Sequence, residues 1–117
     1  MKIVTWNIRG CNHPSKIRTL ARKIKQENPN ILFLQETKCS FESMQKIGQN
    51  IWKGSQVMAV EADGMRGGIA ILWREREVDP TGCRAGHFSL SADFHIRGSK
   101  MRGTIVNIYG PSAFLKK

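Results

Sequence analysis

Acidic residues are scarce in this chain: 9 Asp and Glu stand against 19 Lys and Arg in 117 residues, a formal net charge of +10. The cations run from Lys2 to Lys117, so the imbalance is not a charged tail. An excess of this size favours a polyanionic partner, nucleic acid first and an anionic membrane surface second. The plainer reading is a soluble basic surface. Long apolar runs are missing too, which argues against a membrane-spanning helix and a membrane partner. The opening Met1-Lys2-Ile3-Val4-Thr5-Trp6 lacks the continuous apolar core of a secretory signal. Cysteine is sparse: Cys11, Cys39 and Cys83 are odd in number and far apart, forming neither a zinc pattern nor a disulfide framework. These absences point to a soluble intracellular protein, nuclear or cytoplasmic and not secreted. No internal repeat or low-complexity segment is visible. What remains is ordinary globular composition, 40% hydrophobic and 24% charged, in a length that suits one small domain.

The stretch that organises the chain is Ile31 to Lys38, Ile-Leu-Phe-Leu-Gln-Glu-Thr-Lys. Four apolar residues between Pro29 and a polar turn suit a short strand buried on both faces. The pattern stops at Gln35 and Glu36, which puts a carboxylate at the rim of a sheet. In so basic a chain, an acid held at a strand end invites a divalent-cation reading; the alternative is a solvated strand-end glutamate.

Before it, Lys2 to Asn7 reads as a strand closed by Arg9-Gly10. Pro14 and Ser15 open a helix with Ile17, Leu20, Ala21 and Ile24 on one face, while Arg18, Arg22, Lys23 and Lys25 form a basic outer face. Asn28-Pro29-Asn30 ends it. Strand–helix–strand normally gives two parallel strands with a right-handed crossover, so Asn7 and Glu36 fall on the same sheet edge. After it, Ser40 caps a second helix with Phe41, Met44, Ile47 and Ile51 as the buried stripe, weakened by Gly48. Val57 to Val60 and Ile69 to Trp73 read as strands around a loop, Asp63 to Gly68. The glycine pair in that loop would let backbone amides approach a phosphate, although without the spacing of a P-loop. Arg74-Glu75-Arg76-Glu77 and Pro80-Thr81-Gly82 read as a solvent-facing connection. Then Phe88, Leu90, Ala92, Phe94 and Ile96 alternate with polar residues, Gly98-Ser99 makes a two-residue turn, and Met101 to Tyr109 returns. Asp93 and His95 read as a solvated strand face.

Thr5-Trp6-Asn7-Ile8-Arg9-Gly10, Gln35-Glu36-Thr37-Lys38, Gly67-Gly68-Ile69-Ala70-Ile71-Leu72 and Asn107-Ile108-Tyr109-Gly110-Pro111 together resemble four successive motifs of the endonuclease/exonuclease/phosphatase family, which includes abasic-site repair endonucleases. The Trp-Asn-x-Arg-Gly opening and the Gln-Glu-Thr-Lys form are most similar to the endonuclease domains of non-LTR retrotransposons. The resemblance implies an α/β fold, the N-terminal half of a four-layer sandwich with two helices on one face of a mixed sheet. It also implies that Glu36 is the Mg²⁺ (or Mn²⁺) ligand, that Asn7 helps place metal and scissile phosphate, and that Tyr109 donates to a phosphate oxygen. Arg9, Lys38 and Arg66 are candidates for contacts to DNA. Lys38 either pairs with Glu36 or joins the basic face.

Family members run to roughly twice this length, still within a single-domain range. Their later Gly-Asp-x-Asn and Ser-Asp-His motifs have no counterpart here, and Arg9 stands where some repair enzymes carry an acidic residue. The expectation is therefore a partial domain over residues 1–117, cut after Asn-Ile-Tyr-Gly-Pro: part of a Mg²⁺-dependent, retroelement-derived phosphodiesterase acting on DNA, inactive alone. The alternatives are a non-catalytic basic nucleic-acid-binding remnant and a phosphatase branch of the same family. One sheet face should be left uncovered, awaiting a missing C-terminal half or driving self-association.

Overall fold

The computed structural model describes residues 1–61, 67–86 and 89–108. Strand β1 (Ile3–Asn7), helix α1 (Pro14–Glu27) and strand β2 (Ile31–Gln35) form the expected unit, with β1 and β2 parallel and Asn7 opposite Gln35. Helix α1 starts where Pro14 occupies its first turn and the His13 ring accepts from the Ser15 amide; it stops at Asn28, whose φ of 49° is left-handed. Its stripe buries Leu20 and Ile24, and Arg18, Arg22, Lys23 and Lys25 stay exposed.

Helix α2 (Phe41–Ile51) is capped by Ser40, which accepts from the Ser43 amide. Met44 is buried, but Phe41 is 37% exposed and is not part of the buried stripe. It lies in the first turn, where its amide donates to the Glu61 carboxylate at 2.9 Å, so the helix entrance faces a polar edge. Gly48 is buried against Leu72 of β4 (Ile69–Arg74), where a Cβ would stand 3.1 Å from Cδ2. The glycine that weakens the helix lets it approach the sheet.

Strand β3 (Ser55–Val60) completes a four-stranded sheet in the order β1-β2-β4-β3, antiparallel beyond β2. The strands β5 (Val78–Ala85), β6 (Ser89–Ile96) and β7 (Arg102–Ile108) make a second, antiparallel sheet. Thus the Pro80–Gly82 part of the expected connection lies inside β5. This strand escaped the reading because an edge strand exposed over most of its length has no apolar alternation, and Pro80 is tolerated at an edge beside the register shift between Pro80 and Gly82. The β6–β7 link is also longer than a two-residue turn: Ile96 and Met101 are still paired, and Arg97 to Lys100 turn between them.

Alternation splits each central strand between two cores. Leu32, Leu34, Ala70 and Leu72 pack with Ile8, Cys11, Leu20, Ile24, Met44 and Trp52 under the helices. Ile31, Phe33, Ile69, Ile71 and Trp73 pack with Val78, Leu90, Ala92 and Phe94 of the second sheet. The Trp73 and Phe94 rings meet edge-on with centroids 5.8 Å apart, a contact worth about 0.5–1.5 kcal/mol beyond its area. The sheet face expected to lie bare is therefore covered over β2 and β4 by the chain's own second sheet. Over β1 that face stays open, with Ile3 42% exposed and Thr5 and Asn7 exposed too. The result is a partial α/β sandwich of helices, mixed sheet and second sheet. Among the described residues no helix is long and apolar enough to cross a membrane.

Candidate functional site

The parallel pair β1–β2 does not end at its last ladder residues. Ile8 donates to the Gln35 carbonyl at 3.0 Å, Gly10 to that of Glu36 at 2.6 Å and Cys11 to that of Thr37 at 2.9 Å. From the other side Thr37 donates to Gly68 at 3.2 Å and Lys38 to Gly67 at 2.6 Å. The segment after β2 is thus held on both edges. Arg9, Glu36 and Lys38 have φ of 53°, 54° and 53°, left-handed values that cost L-residues on the order of 1–3 kcal/mol each. Between them Thr37 is 2% exposed. Alternating left-handed residues turn Thr37 into the core and leave Glu36 half-buried and Lys38 exposed.

Gly67 makes this crossing possible. A Cβ there would lie 2.6 Å from the Glu36 Cα and 2.9 Å from its Cγ. The bare face of the glycine is occupied by Glu36 itself, so this residue serves close packing on the candidate carboxylate.

A second support comes from β7. Asn107, 1% exposed, donates through Nδ2 to the carbonyls of Leu34 at 3.3 Å and Ala70 at 3.4 Å. Gln35 Nε2 donates to Asn107 Oδ1 at 3.1 Å and to the Ile108 carbonyl at 3.0 Å. This network ties the end of the second sheet to the residue preceding Glu36. The sequence reading took Gln35 only as the end of the apolar run and Asn107 only as a motif letter. The signal was available: Asn107 is a polar residue between Val106 and Ile108, in step with Ile105 on the inward side of the strand. Lys16 was also passed over; its Nζ donates to the Ile8 carbonyl at 2.9 Å and pins the exit of β1 to α1.

The structure brings Asn7, Arg9, Glu36 and Lys38 to one sheet edge. Tyr109 and Arg66 lie outside the described residues. No ion pair joins Glu36 and Lys38 among the described residues; the Lys38 stem lies beside Gly10. Asp93 and His95 keep to their strand face. Asp93 pairs with Arg84 at 3.2 Å and accepts from Thr104 at 2.6 Å. Those two partners, Arg84 foremost, hold its carboxyl below the usual range. His95 Nε2 lies 2.6 Å from the Ser99 carbonyl.

As a metal site the edge offers hard oxygens only, the Glu36 carboxylate and the Asn7 amide oxygen. No group of three or more His, Cys, Asp or Glu side chains suited to a metal occurs among the described residues. That donor set is too small for a protein-made cage, but it fits Mg²⁺, which keeps several waters and needs one or two carboxylates.

The sequence matches the model of the Endonuclease/Exonuclease/phosphatase family over residues 4–112. The chain belongs to this family. Solved structures with the same fold include the human Nocturnin catalytic domain with bound sulfate anion, at 15% identity and a TM-score of 0.73 over 91% of this chain and 48% of that one. The mannosyl-6-phosphatase Bt3783 of Bacteroides thetaiotaomicron matches at 15% identity and 0.69, covering 92% and 51%. TDP2 of D. rerio complexed with single strand DNA product matches at 18% identity and 0.68, covering 91% and 45%. The chain therefore spans about half the length of these structures.

Proposed function

We propose that this chain carries the metal-binding part of a Mg²⁺-dependent phosphodiesterase acting on DNA, with Glu36 and Asn7 holding the metal and Tyr109 meeting the phosphate. The observation that carries the reading is Glu36. Its left-handed peptide is held between Gly10 and Gly67 at the C-terminal ends of two parallel strands. Left-handed φ at a non-glycine residue persists only where the surroundings impose it, and such residues cluster at functional sites. Bound there, Mg²⁺ would neutralise charge developing on a phosphoryl oxygen. The chain's own contribution is to orient the carboxylate and to bring Arg9 and Lys38 to the same edge for an incoming phosphate. DNA as substrate is supported by the net charge of +10 and by the DNA-bound neighbour of the same fold. The opening motif favours a retroelement origin.

On this reading residues 1–117 form part of the family's domain and bind duplex DNA without cutting it above background, because among the described residues no group stands ready to activate the attacking water. Mn²⁺ titration by relaxation enhancement tests the metal site: binding is weak, and Glu36→Gln lowers it by about tenfold or more. Equal affinity in the two proteins removes Glu36 from the site. Mg²⁺-dependent plasmid nicking that disappears in Glu36→Gln refutes the inactivity. A second reading, a phosphatase, is favoured by the sugar-phosphatase neighbour; DNA affinity that falls steeply with salt decides against it.

A further inference from the structure

Two of the three cysteines, remote in sequence, meet in space. The ladder that runs past β1 and β2 pairs Cys11 with Thr37 through a 2.9 Å backbone hydrogen bond, and Asn12 Nδ2 donates to the Lys38 carbonyl at 3.0 Å. This sets the loop holding Cys11 alongside the loop leading to Cys39. Both side chains enter the core cluster under the helices, Cys11 fully buried and Cys39 half-buried at its margin. Cys39 Sγ lies 3.9 Å from Met44 Sδ, in the cluster that holds Cys11. Both are free thiols, as is the exposed Cys83.

We propose that Cys11 and Cys39 are a dithiol–disulfide modification site, oxidised by low-molecular-weight disulfides, which ties the loop leaving β1 to the loop leaving β2. The two thiols have unequal chemistry. The neighbouring Cys11 thiol foremost, then Thr37, holds the Cys39 thiol down at about 7 against the opposing effect of burial. The same contact with Cys39, together with burial, pushes the Cys11 thiol up. Cys39 is the accessible, partly ionised partner and attacks first; Cys11 is sheltered and resolves. In the first step the Cys39 thiolate attacks one sulfur of the disulfide, an S–S bond forms, the small molecule's own S–S bond breaks, and one thiolate leaves. In the second, Cys11 gives its proton to that thiolate, or to solvent, and attacks Cys39 Sγ; the Cys39–small-molecule S–S bond breaks, and the second thiolate leaves and takes up from solvent the proton that Cys39 lost on ionising. The protein loses two hydrogens and two electrons, and the small disulfide is reduced to two thiols. A thiol titrating near ambient pH is near the optimum for such attack.

The two loops are the ones that carry Arg9-Gly10 and Glu36–Lys38, so the bond would close around the clamped segment without using any residue assigned to metal or phosphate. Its detection does not depend on the phosphodiesterase reading.

The experiment is incubation of the full chain with glutathione disulfide at graded thiol-to-disulfide ratios, followed by acid quench and non-reducing peptide mapping. The expected product is the Cys11–Cys39 cross-linked peptide, 2 Da lighter than the reduced pair, formed equally in Cys83→Ser. Cys11→Ala should stop at a glutathione adduct on Cys39. Alkylation of the wild type, mapped by residue, should modify Cys39 at least about tenfold faster than Cys83 at pH 7, with a half-maximum near that pH. Adducts spread over Cys39 and Cys83 alike, with no cross-linked peptide at any ratio, would overturn the proposal. The wild-type map decides it even if Cys11→Ala folds poorly.

Discussion

Adding one methyl group at Gly67 tests whether the Glu36 crossing is as tight as it looks, and Gly48 supplies the control. In Gly67→Ala the new Cβ would lie 2.6 Å from a backbone atom, the Cα of Glu36, and 2.9 and 3.0 Å from its Cγ and Cβ. Backbone held by hydrogen bonds on both edges cannot yield as a side-chain tip can. Overpacking of this kind costs about 1–3 kcal/mol. Displacing the 2.6 Å bond from Lys38 to the Gly67 carbonyl adds about 1 kcal/mol. Gly48→Ala meets the end of the Leu72 side chain at 3.1 Å. A small rotation relieves that contact, and alanine regains about 1 kcal/mol of helix propensity, so the net change should fall within about 1 kcal/mol of zero. Urea unfolding reads both. With a denaturant slope of about 1–3 kcal/mol/M, Gly67→Ala should move the midpoint down by roughly 1–2 M at constant slope, while Gly48→Ala leaves it nearly unchanged. Because the clash falls on Glu36, Gly67→Ala should also weaken Mn²⁺ binding in the fraction still folded. A midpoint for Gly67→Ala equal to wild type, or a larger loss in Gly48→Ala, would refute the packing argument.

Asn107→Leu removes three hydrogen bonds and leaves the buried network around Gln35 short of its central partner; a loss of about 1–3 kcal/mol in urea melts is expected, and a neutral result would show that the sheets do not depend on it. Asp93 has a folded carboxyl held below its ordinary value of 3.8 by Arg84 and Thr104, so its contribution is present above that pH and fades as pH falls through the lower folded value. Asp93→Asn should therefore lower stability near neutrality and flatten the acid limb of the stability–pH curve; an unchanged acid limb would exclude the pair as a source of stability. Val106 and Ile108, 49% and 59% exposed, flank the inward Asn107 and so share the outer face of the second sheet. If this face drives self-association, replacing both with lysine should reduce dye binding and shift sedimentation toward monomer, whereas unchanged association would exclude it.

Local pattern was enough for the part of the molecule in which neighbours in sequence determine the geometry. The apolar stripe and Asn28 stop of α1, the Ser40 cap, and the alternation along β6 are each written within a dozen residues. The strand–helix–strand order also predicted the parallel pair, which sets Asn7 opposite Gln35, the residue before Glu36, because chain handedness leaves one sensible crossover. Periodicity is silent about what covers a face. A both-sides-apolar strand such as Ile31 to Leu34 announces that two layers exist, but not that β5 and β6 of the same chain provide one of them. Strand β5 was hidden because an exposed edge imposes little on its residues, so Pro80 and Gly82 looked like a turn. The remaining surprises share one cause: they are contacts between segments far apart in sequence. Gly67 is needed because Glu36 passes over it, Asn107 because it reaches two carbonyls of the other sheet, and Cys11 and Cys39 meet because the β1–β2 ladder continues past both strands. A residue's type is local information. Its partner is not, and at this site the partners were decided by the fold.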